Sequence, residues 1–287
     1  MSRVAYVNGR YGPKSEATVH IEDRGYQFAD AVYEVWGVTG GRLMDYEGHM
    51  TRLERSLDEL RIRHPMSRAA LTQVLRETVR RNRVRNGLVY LQISRGTAPR
   101  DHAFPAADTP PSVVVTAKSL DRARSEAGAA RGIGVVTRPD TRWGRCDIKT
   151  VGLLPNILAK QEALDAGAGD AWLVDDMGVI TEGTASNAWI VDADGVLRTR
   201  DTQANILRGI TRAAIVRIAA EQGLTMEERG FTPEDVKAAR EAFFTNASGF
   251  ATPVVSIDGT PVGSGKPGPV ALRLRELYLA RAEQEAV

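Results

Sequence analysis

The spacing of apolar residues over residues 1–120 predicts short strands around two helices. Between residues 47 and 60, methionine and leucine recur at intervals of three and four, which is typical of an amphipathic helix. Ser67 is a favourable N-cap for a second helix that extends to about residue 85. The runs with strand-like composition are residues 5–7, 17–19, 32–38, 42–44, 88–94 and 112–117. Residues 1–120 are therefore predicted to form an N-terminal α/β domain.

The second half of the chain alternates between short apolar runs and helical patterns. Strands are expected at residues 133–137, 171–174, 188–191, 241–245 and 254–257. Helices, bounded by proline or glycine, are expected at residues 155–166, 209–222, 233–239 and 269–286. Residues 121–131 are rich in alanine and arginine and lack large apolar side chains, which predicts a linker to a C-terminal domain over residues 132–287. The expected fold class is α+β or α/β, with two domains.

Composition and charge narrow the class of protein. Of 287 residues, 43% are hydrophobic and 26% are charged, with 38 basic and 36 acidic side chains. This near-neutral balance gives no electrostatic signature of nucleic-acid or anionic-membrane binding. No apolar run approaches the roughly 20 residues of a membrane span. Cys146 is the only cysteine and the start of the sequence has no apolar signal segment, so a cytoplasmic location is expected. The histidines are scattered, and no metal site is expected.

The chemistry is expected to centre on Lys149, near the middle of the chain. Over residues 142–150 this lysine is accompanied by arginines, an aspartate and a cysteine. A lysine taken alone is usually a solvated charge, but its amine can also bind the aldehyde of pyridoxal phosphate covalently. The cofactor then withdraws electrons from the substrate, while the protein orients both. Such a site needs a carboxylate for the pyridine nitrogen, donors for the phosphate and a contact for the ring face.

Candidates for the carboxylate and the phosphate donors are present. Glu182 leaves an apolar strand and enters a run of small residues, which suits a buried acid beside a protonated pyridine. The predicted helix that starts at Gly209 offers free backbone N–H groups, and Thr211 adds a hydroxyl. Arg52, on the first predicted helix, is a further phosphate candidate. Each residue also has an ordinary alternative, as a hairpin glutamate, a common helix start or a solvated arginine.

A substrate carboxylate needs a receptor of its own. Arg100 and His102 lie two residues apart in a polar loop after a predicted strand, so in an extended segment both side chains can face one anion. Tyr33 is a candidate for a third hydrogen bond. An ordinary surface loop is the alternative interpretation.

Taken together, these segments resemble the fold type IV pyridoxal-phosphate enzymes and, among them, the D-amino-acid aminotransferases. The resemblance covers nearly the whole chain in order, and the lysine segment and the Arg-x-His loop are its most specific parts. The matching stretches are residues 22–28, 31–35, 49–53, 95–105, 142–149, 158–163, 181–183, 186–187, 206–212 and 252–254. The resemblance therefore implies the two-domain fold of that family and pyridoxal 5'-phosphate as the cofactor.

The resemblance also implies a role for each candidate residue. Lys149 would hold the cofactor covalently and carry a proton between the substrate Cα and the cofactor. The other implied cofactor contacts are Glu182 at the pyridine nitrogen, Arg52, Gly209, Ile210 and Thr211 at the phosphate, Leu207 on the ring face and Arg142 near the ring O3′. A threonine that adds a phosphate hydroxyl in related enzymes corresponds to Ala247 here, so Ser248 is expected to substitute for it.

The substrate side is implied in the same way. Tyr33, with Arg100 and His102 contributed by the second subunit of a homodimer, would bind the α-carboxylate of an amino acid. The implied reaction moves the amino group of a D-amino acid, such as D-alanine, to a 2-oxo acid, such as 2-oxoglutarate or pyruvate. Alternatives on the same cofactor site are a branched-chain L-amino-acid aminotransferase, an (R)-amine transaminase and an aminodeoxychorismate lyase. A non-catalytic binding module is an alternative of another class, and the intact Lys149 and Glu182 argue against it.

Overall fold

The computed structural model of the protein describes residues 3–287. Its Cα atoms group into two units. The first unit contains the residues up to Asp121 together with Ile148–Gly152 and Glu283–Val287. The second unit contains Arg122–Asp147 and Leu153–Ala282. Each unit combines helices with a β-sheet, which confirms the mixed fold class predicted from the sequence.

The first unit is built on an antiparallel sheet. Its strands are β1 (Val4–Val7), β2 (Arg10–Pro13), β3 (Ala31–Thr39), β4 (Arg42–Leu43), β5 (Gly87–Ser94) and β6 (Ser112–Ser119). They lie in the order β2-β1-β6-β5-β3-β4. The helices of this unit are α1 (Arg24–Phe28), α2 (Tyr46–Glu59) and α3 (Arg68–Arg81). The long central strands β3, β5 and β6 form the frame on which the other elements are placed.

Helices α2 and α3 contribute their apolar faces to the core of the first unit. Leu53 and Leu57 of α2 are 1% and 2% exposed, and they belong to the same buried cluster as Leu75 of α3 and Trp36 of β3. Burial of each such leucine stabilises the fold by about 1.5–3 kcal/mol. Helix α3 begins where predicted, because the Ser67 side chain accepts a hydrogen bond in its first turn. Apolar spacing thus predicted the existence of both helices, and α3 ends at Arg81, before the predicted end at about residue 85.

The start of the chain differs from the prediction. Residues 17–19 form no strand, so that prediction is wrong. Asn8 and Gly9 have φ angles of 45° and 93° and make a two-residue turn, so the chain returns at once as β2 and pairs with β1. Residues 17–19 therefore follow the completed β1–β2 hairpin and are not part of it.

The second unit is built on a mixed sheet. Its strands are β7 (Ile133–Pro139), β8 (Asp170–Val174), β9 (Ile180–Gly183), β10 (Asn187–Val191), β11 (Leu197–Thr199), β12 (Met226–Glu228), β13 (Glu241–Asn246), β14 (Phe250–Ile257) and β15 (Thr260–Pro261). Their order is β12-β11-β10-β13-β14-β7-β8-β9, and β15 pairs with β14. The pairs β11–β12, β14–β7 and β7–β8 are parallel. The remaining helices are α4 (Arg122–Arg131), α5 (Leu154–Asp165), α6 (Ile210–Glu221), α7 (Pro233–Ala238) and α8 (Pro269–Glu285).

The segment expected to be an interdomain linker, residues 121–131, is mostly helical. Helix α4 occupies it, with Ala129 buried and Ser125 accepting a hydrogen bond from Arg275 at 3.0 Å. Alanine and arginine are strong helix formers, so a polar composition without large apolar residues did not exclude a surface helix. No helix among residues 3–287 is long and apolar enough to cross a membrane.

Lys149 lies in a different unit from the one expected. The sequence placed it in a C-terminal domain over residues 132–287, but Ile148–Gly152 group with the first unit. The physical reason is pairing with β3, where the N–H of Tyr33 donates to the Lys149 carbonyl at 3.0 Å. That the two parts of the chain are separately folding domains stays a prediction.

Candidate active site

The Lys149 side chain is presented along β3 of the first unit. Its neighbour Ile148 is 3% exposed and packs in the core, and the backbone N–H of Lys149 lies 3.4 Å from the Ser56 hydroxyl. The amine lies 4.2 Å from the centroid of the Tyr33 ring. Within the described part of the chain, no carboxylate forms an ion pair with this amine. The backbone of Lys149 is therefore fixed, while its amine faces an aromatic ring and not an acid.

Tyr33 is itself held by a second ring. It stacks on Tyr90 of the neighbouring strand β5, with 5.7 Å between ring centroids. Burial raises the pKa of Tyr90 to about 12, so its phenol stays protonated and donates to Gln92 at 2.8 Å. The ring beside the Lys149 amine is thus supported from the sheet.

On the same strand, Glu34 forms a buried cluster with two residues of α2. Glu34 is 0% exposed, and its two oxygens accept from Arg52 Nε at 2.6 Å and Nη2 at 2.9 Å. His49 Nδ1 lies 2.7 Å from Oε2 of Glu34. Burial alone would raise the pKa of the Glu34 carboxyl, but the charge of Arg52 and the hydrogen bonds hold that pKa well below its usual range. The ionised carboxylate therefore fixes the orientation of the Arg52 guanidinium.

The second unit contains another buried carboxylate, Glu182 of β9. It is 5% exposed, and its Oε1 is paired with Arg142 Nη1. Its Oε2 accepts from the Asn187 amide at 3.0 Å, and the N–H of Leu207 lies 3.2 Å from both oxygens. Donors from three parts of the chain thus hold this carboxylate in one orientation.

Asp140 binds the same arginine as Glu182. Its carboxylate accepts from Arg142 Nη2 at 2.7 Å and Nε at 2.9 Å, and from the Thr181 hydroxyl at 2.7 Å. Burial raises the pKa of Asp140, but the hydrogen bonds and charge of Arg142 outweigh burial, so the pKa lies below its ordinary 3.8. Burial would lower the pKa of Arg142, and the two acids raise it above its ordinary value. Arg142 is therefore a permanent cation held between two carboxylates.

Asn187 connects this network to the start of α6. Besides its bond to Glu182, the Asn187 amide donates to the Leu207 carbonyl at 2.9 Å. Gly209 is the N-cap of α6, no side chain caps the helix, and a Cβ at Gly209 would clash with Asn187 Oδ1. The first N–H groups of a helix lack intrahelical partners and stand at its positive end, so this terminus is suited to an anion. Thr211, 3% exposed, lies in the same first turn.

Ser248 lies in the turn between β13 and β14. The side-chain oxygen of Asn246 accepts from the Ser248 N–H at 3.1 Å and from the Ser248 hydroxyl at 3.2 Å. The same oxygen accepts from the N–H of Gly249 at 2.6 Å. The Ser248 hydroxyl has a partner within its own turn, and to serve as a phosphate donor it would have to exchange that bond.

Arg100 and His102 lie on the exposed loop that follows β5, and both are next to Phe28 of α1. The Arg100 Cζ is 5.0 Å from the centroid of the Phe28 ring, and the His102 ring is 5.6 Å from it. The Asp101 carboxylate, between them in sequence, accepts from the N–H of Ala103 at 3.1 Å. Within residues 3–287, neither Arg100 nor His102 makes a hydrogen bond or ring contact with Tyr33. The structure thus gathers Arg100 and His102 at one aromatic ring.

Sequence reasoning missed several residues that complete these clusters. They are Glu34, His49, Asp140 and Asn187. The first two carried a usable signal, because an acid inside an apolar strand needs a buried partner and a histidine and arginine three apart share a helix face. Asp140 and Asn187 carried none, since Asp140 accepts from Thr181 and Asn187 donates to Leu207, which lie 41 and 20 residues away in the chain.

The remaining candidate groups are potential metal ligands and the single cysteine. Among residues 3–287, no group of three or more histidines, cysteines, aspartates or glutamates is arranged to hold a metal ion. Cys146 is buried, and burial raises the pKa of its thiol to about 11. This thiol is therefore protonated at neutral pH and is a poor nucleophile.

Comparison with known proteins gives a single answer about the family. Residues 31–257 match the model of the family described as amino-transferase class IV. The D-alanine aminotransferase of Bacillus licheniformis is 42% identical over 92% of this chain and 91% of its own length. The D-alanine aminotransferase of Listeria monocytogenes serotype 4b (strain F2365) is 40% identical over 97% of this chain and 96% of its own length.

Solved structures agree over the whole fold. The branched-chain amino acid aminotransferase of Escherichia coli superposes with a TM-score of 0.91 and 26% identity, covering 100% of this chain and 97% of that one. A branched-chain amino acid aminotransferase of T.th., solved with pyridoxamine 5'-phosphate, gives a TM-score of 0.89 and 29% identity, covering 99% of this chain and 95% of that one. The fold type IV architecture implied by the sequence is thus confirmed.

Proposed function

The chain belongs to the amino-transferase class IV family, and from this premise we propose that it is a pyridoxal-phosphate-dependent D-amino-acid aminotransferase. It moves the amino group of a D-amino acid such as D-alanine to a 2-oxo acid such as 2-oxoglutarate or pyruvate. The observation that carries this proposal is the 42% identity, over 92% of the chain, to a protein named D-alanine aminotransferase. The branched-chain enzymes share the fold at a lower identity of 26–29%.

The residues present fit pyridoxal 5'-phosphate. The start of α6 offers backbone donors to a phosphate, and its glycine cap lies where a Cβ would clash with Asn187. Glu182 is a buried acid suited to a protonated pyridine nitrogen. Asn187 bonds to Glu182 and to the Leu207 carbonyl, so the two features belong to one network. When bound, this cofactor supplies the electron sink for breaking a bond at the substrate Cα.

The chain supplies the anchoring group and the proton carrier. Lys149 Nζ would hold the cofactor covalently and, once free, would carry the proton from the substrate Cα to the cofactor C4′. The absence of an acidic partner among the described residues supports this role, because an ion pair would hold the amine away from the reaction. The remaining cofactor contacts are proposed as Arg52, Ile210, Thr211 and Ser248 at the phosphate, Leu207 on the ring face and Arg142 near O3′.

The substrate carboxylate is proposed to bind Tyr33 together with Arg100 and His102. In this scheme the two loop residues serve the partner subunit of a homodimer. Their exposure, and the lack of contact with Tyr33 within residues 3–287, support the scheme. A cytoplasmic location is likewise proposed, and the single cysteine supports it.

One assay tests the proposal against its main rivals. The purified protein is loaded with pyridoxal phosphate and mixed separately with D-alanine, L-leucine and (R)-1-phenylethylamine, and the visible absorbance of the bound cofactor is followed. We expect D-alanine to bleach it fastest. Bleaching by L-leucine and not by D-alanine would overturn the choice of substrate in favour of a branched-chain enzyme. If the protein binds no coloured cofactor, and borohydride reduction attaches no pyridoxal phosphate to it, the result would support a non-catalytic binding module.

A further inference from the structure

The loop that carries Arg100 and His102 is exposed, yet both side chains meet one aromatic ring. The Phe28 ring lies 5.0 Å from Arg100 Cζ and 5.6 Å from the His102 ring. An exposed arginine has many rotamers of similar energy, and each contact to a planar anion requires that one of them be selected. A ring face attracts a guanidinium and can limit its rotamers at a small cost in solvation. Phe28 therefore has the position needed to align two solvent-exposed groups.

The backbone between these two residues is fixed by a hydrogen bond from Arg24 of α1. Arg24, 4% exposed, donates through Nη1 to the Asp101 carbonyl at 2.6 Å. Its Nε donates to Asp30 at 2.8 Å, and Arg95 donates to the same carboxylate at 2.8 Å. Arg24 Cζ is also 4.8 Å from the centroid of the Phe28 ring. A buried charge cluster thus holds both the ring and the middle of the loop.

Asp101, between Arg100 and His102 in the loop, has its own hydrogen-bond partners. Asp101 directs its carbonyl to Arg24 and its carboxylate to the N–H of Ala103, and among the described residues it forms no ion pair with Arg100 or His102. Arg100 and His102 are left on either side of it, both at Phe28. Arg100 and His102 are therefore aligned through a ring and a backbone carbonyl, and not by direct bonds to acids.

We propose that Phe28 is a positioning residue for the substrate carboxylate, because its ring aligns Arg100 and His102 while Arg24 fixes the carbonyl between them. This inference rests on the proposed function. Phe28 acts through the two loop residues and contacts neither substrate nor cofactor. Its loss weakens capture of a carboxylate and leaves the chemical steps at Lys149 nearly unchanged.

The variant Phe28→Leu removes the ring and keeps an apolar side chain of similar size at the end of α1. We expect KM for D-alanine to rise about five- to tenfold, with kcat within about twofold of wild type. The dissociation constant of propionate, which has the carboxylate but no amino group, rises by the same factor in the loaded enzyme. Phe28→Tyr retains the ring face and restores both constants.

The matched control is Tyr26→Leu, which removes a 77% exposed ring from the same helix. We expect its constants to match those of wild type, and circular dichroism identifies any variant that has lost its fold. The proposal is overturned if Phe28→Leu binds propionate within twofold of wild type, or if Phe28→Tyr is as impaired as Phe28→Leu. It is also overturned if Tyr26→Leu is equally impaired. Propionate titration requires no turnover, so a wild-type enzyme that fails on D-alanine contradicts the proposed function and leaves this test in force.

Discussion

The network around Glu182 and the loop of Arg100 and His102 hold their functional groups in opposite ways. Glu182 is 5% exposed and is held by direct bonds from Arg142, Asn187 and the Leu207 N–H. Arg100 and His102 are exposed and are held by ring contacts. The first arrangement is rigid in a low-dielectric setting, where hydrogen bonds are strong. The second can exchange its partners with water and with an incoming anion.

This difference agrees with what each region is proposed to bind, the cofactor at Glu182 and the substrate at the loop. A cofactor remains through every turnover, so its contacts can be buried and permanent. A substrate enters and leaves, so its receptor must be reachable by solvent, and positioning replaces burial as the source of order. The sequence of a loop can also change at little cost to the stability of the core, which explains how enzymes of one fold accept amino-group donors of different shape and stereochemistry. The two regions should therefore respond differently to substitution.

The largest effect is expected at Lys149, because every amino donor would react through it in the proposed mechanism. Lys149→Ala should reduce turnover on the order of a thousandfold or more and abolish the visible absorbance of the covalently bound cofactor. Lys149→Arg is the control, because it keeps a cation at this position and cannot make the covalent bond. Both variants should fail with every donor. Normal turnover by Lys149→Ala would end the assignment of the whole site.

Glu182→Gln tests the buried side of the comparison. An amide cannot balance the charge of a protonated pyridine, so we expect kcat to fall roughly a hundredfold. The loss should be equal for all donors that the wild-type enzyme accepts, since the cofactor is common to them. Glu162→Gln is the control, at an exposed carboxylate paired with Arg138, and it should leave kcat unchanged. A loss confined to donors with a carboxylate would contradict the division between the two regions.

Arg100→Ala tests the exposed side. Removing a charge-assisted contact should raise KM for D-alanine about tenfold or more, with a smaller change in kcat. Donors that lack a carboxylate should be unaffected. Arg80→Ala, which removes an exposed arginine paired with Glu77, provides the control. An equal change in KM for donors with and without a carboxylate would remove Arg100 from the receptor.

The sequence predicted the parts of the fold in which local pattern decides structure. The apolar faces of α2 and α3 and the Ser67 cap came from spacing of three and four and from one hydroxyl. The strand over residues 17–19 failed because a positive φ at Asn8 and Gly9 closed the hairpin earlier. The helix over residues 122–131 was not predicted, because its alanines and arginines favour a helix even without large apolar side chains.

The candidate site was predictable to a similar depth. Lys149, Glu182 and the start of α6 stand out in their own segments. The roles of Asp140 and Asn187 depend also on bonds to Thr181 and Leu207, which are 41 and 20 residues away in the chain. Phe28 was within a recognised stretch, but its ring contacts depend on how the loop after β5 folds back to α1. Long-range pairing of polar groups leaves no periodic trace, which is why the supporting residues could not be read from the sequence.

The smallest effect is expected at Asp140, which is linked to Glu182 through their shared partner Arg142. Asp140→Asn keeps the shape of the side chain and removes one of the two carboxylate charges that pair with Arg142. We expect a change in kcat of about two- to fivefold and a loss in the free energy of unfolding of about 1–3 kcal/mol at pH 7. The pKa of Asp140 is lowered in the folded protein, so its contribution to stability is fully present above the ordinary 3.8 and is lost as pH falls through the folded value. Urea unfolding of wild type and variant should therefore differ at pH 7 and converge in acid. The control is Asp165→Asn, on the exposed surface of α5, whose unfolding free energy should stay close to that of wild type at both pH values. If the difference between Asp140→Asn and wild type were independent of pH, the Asp140 charge would not stabilise the network.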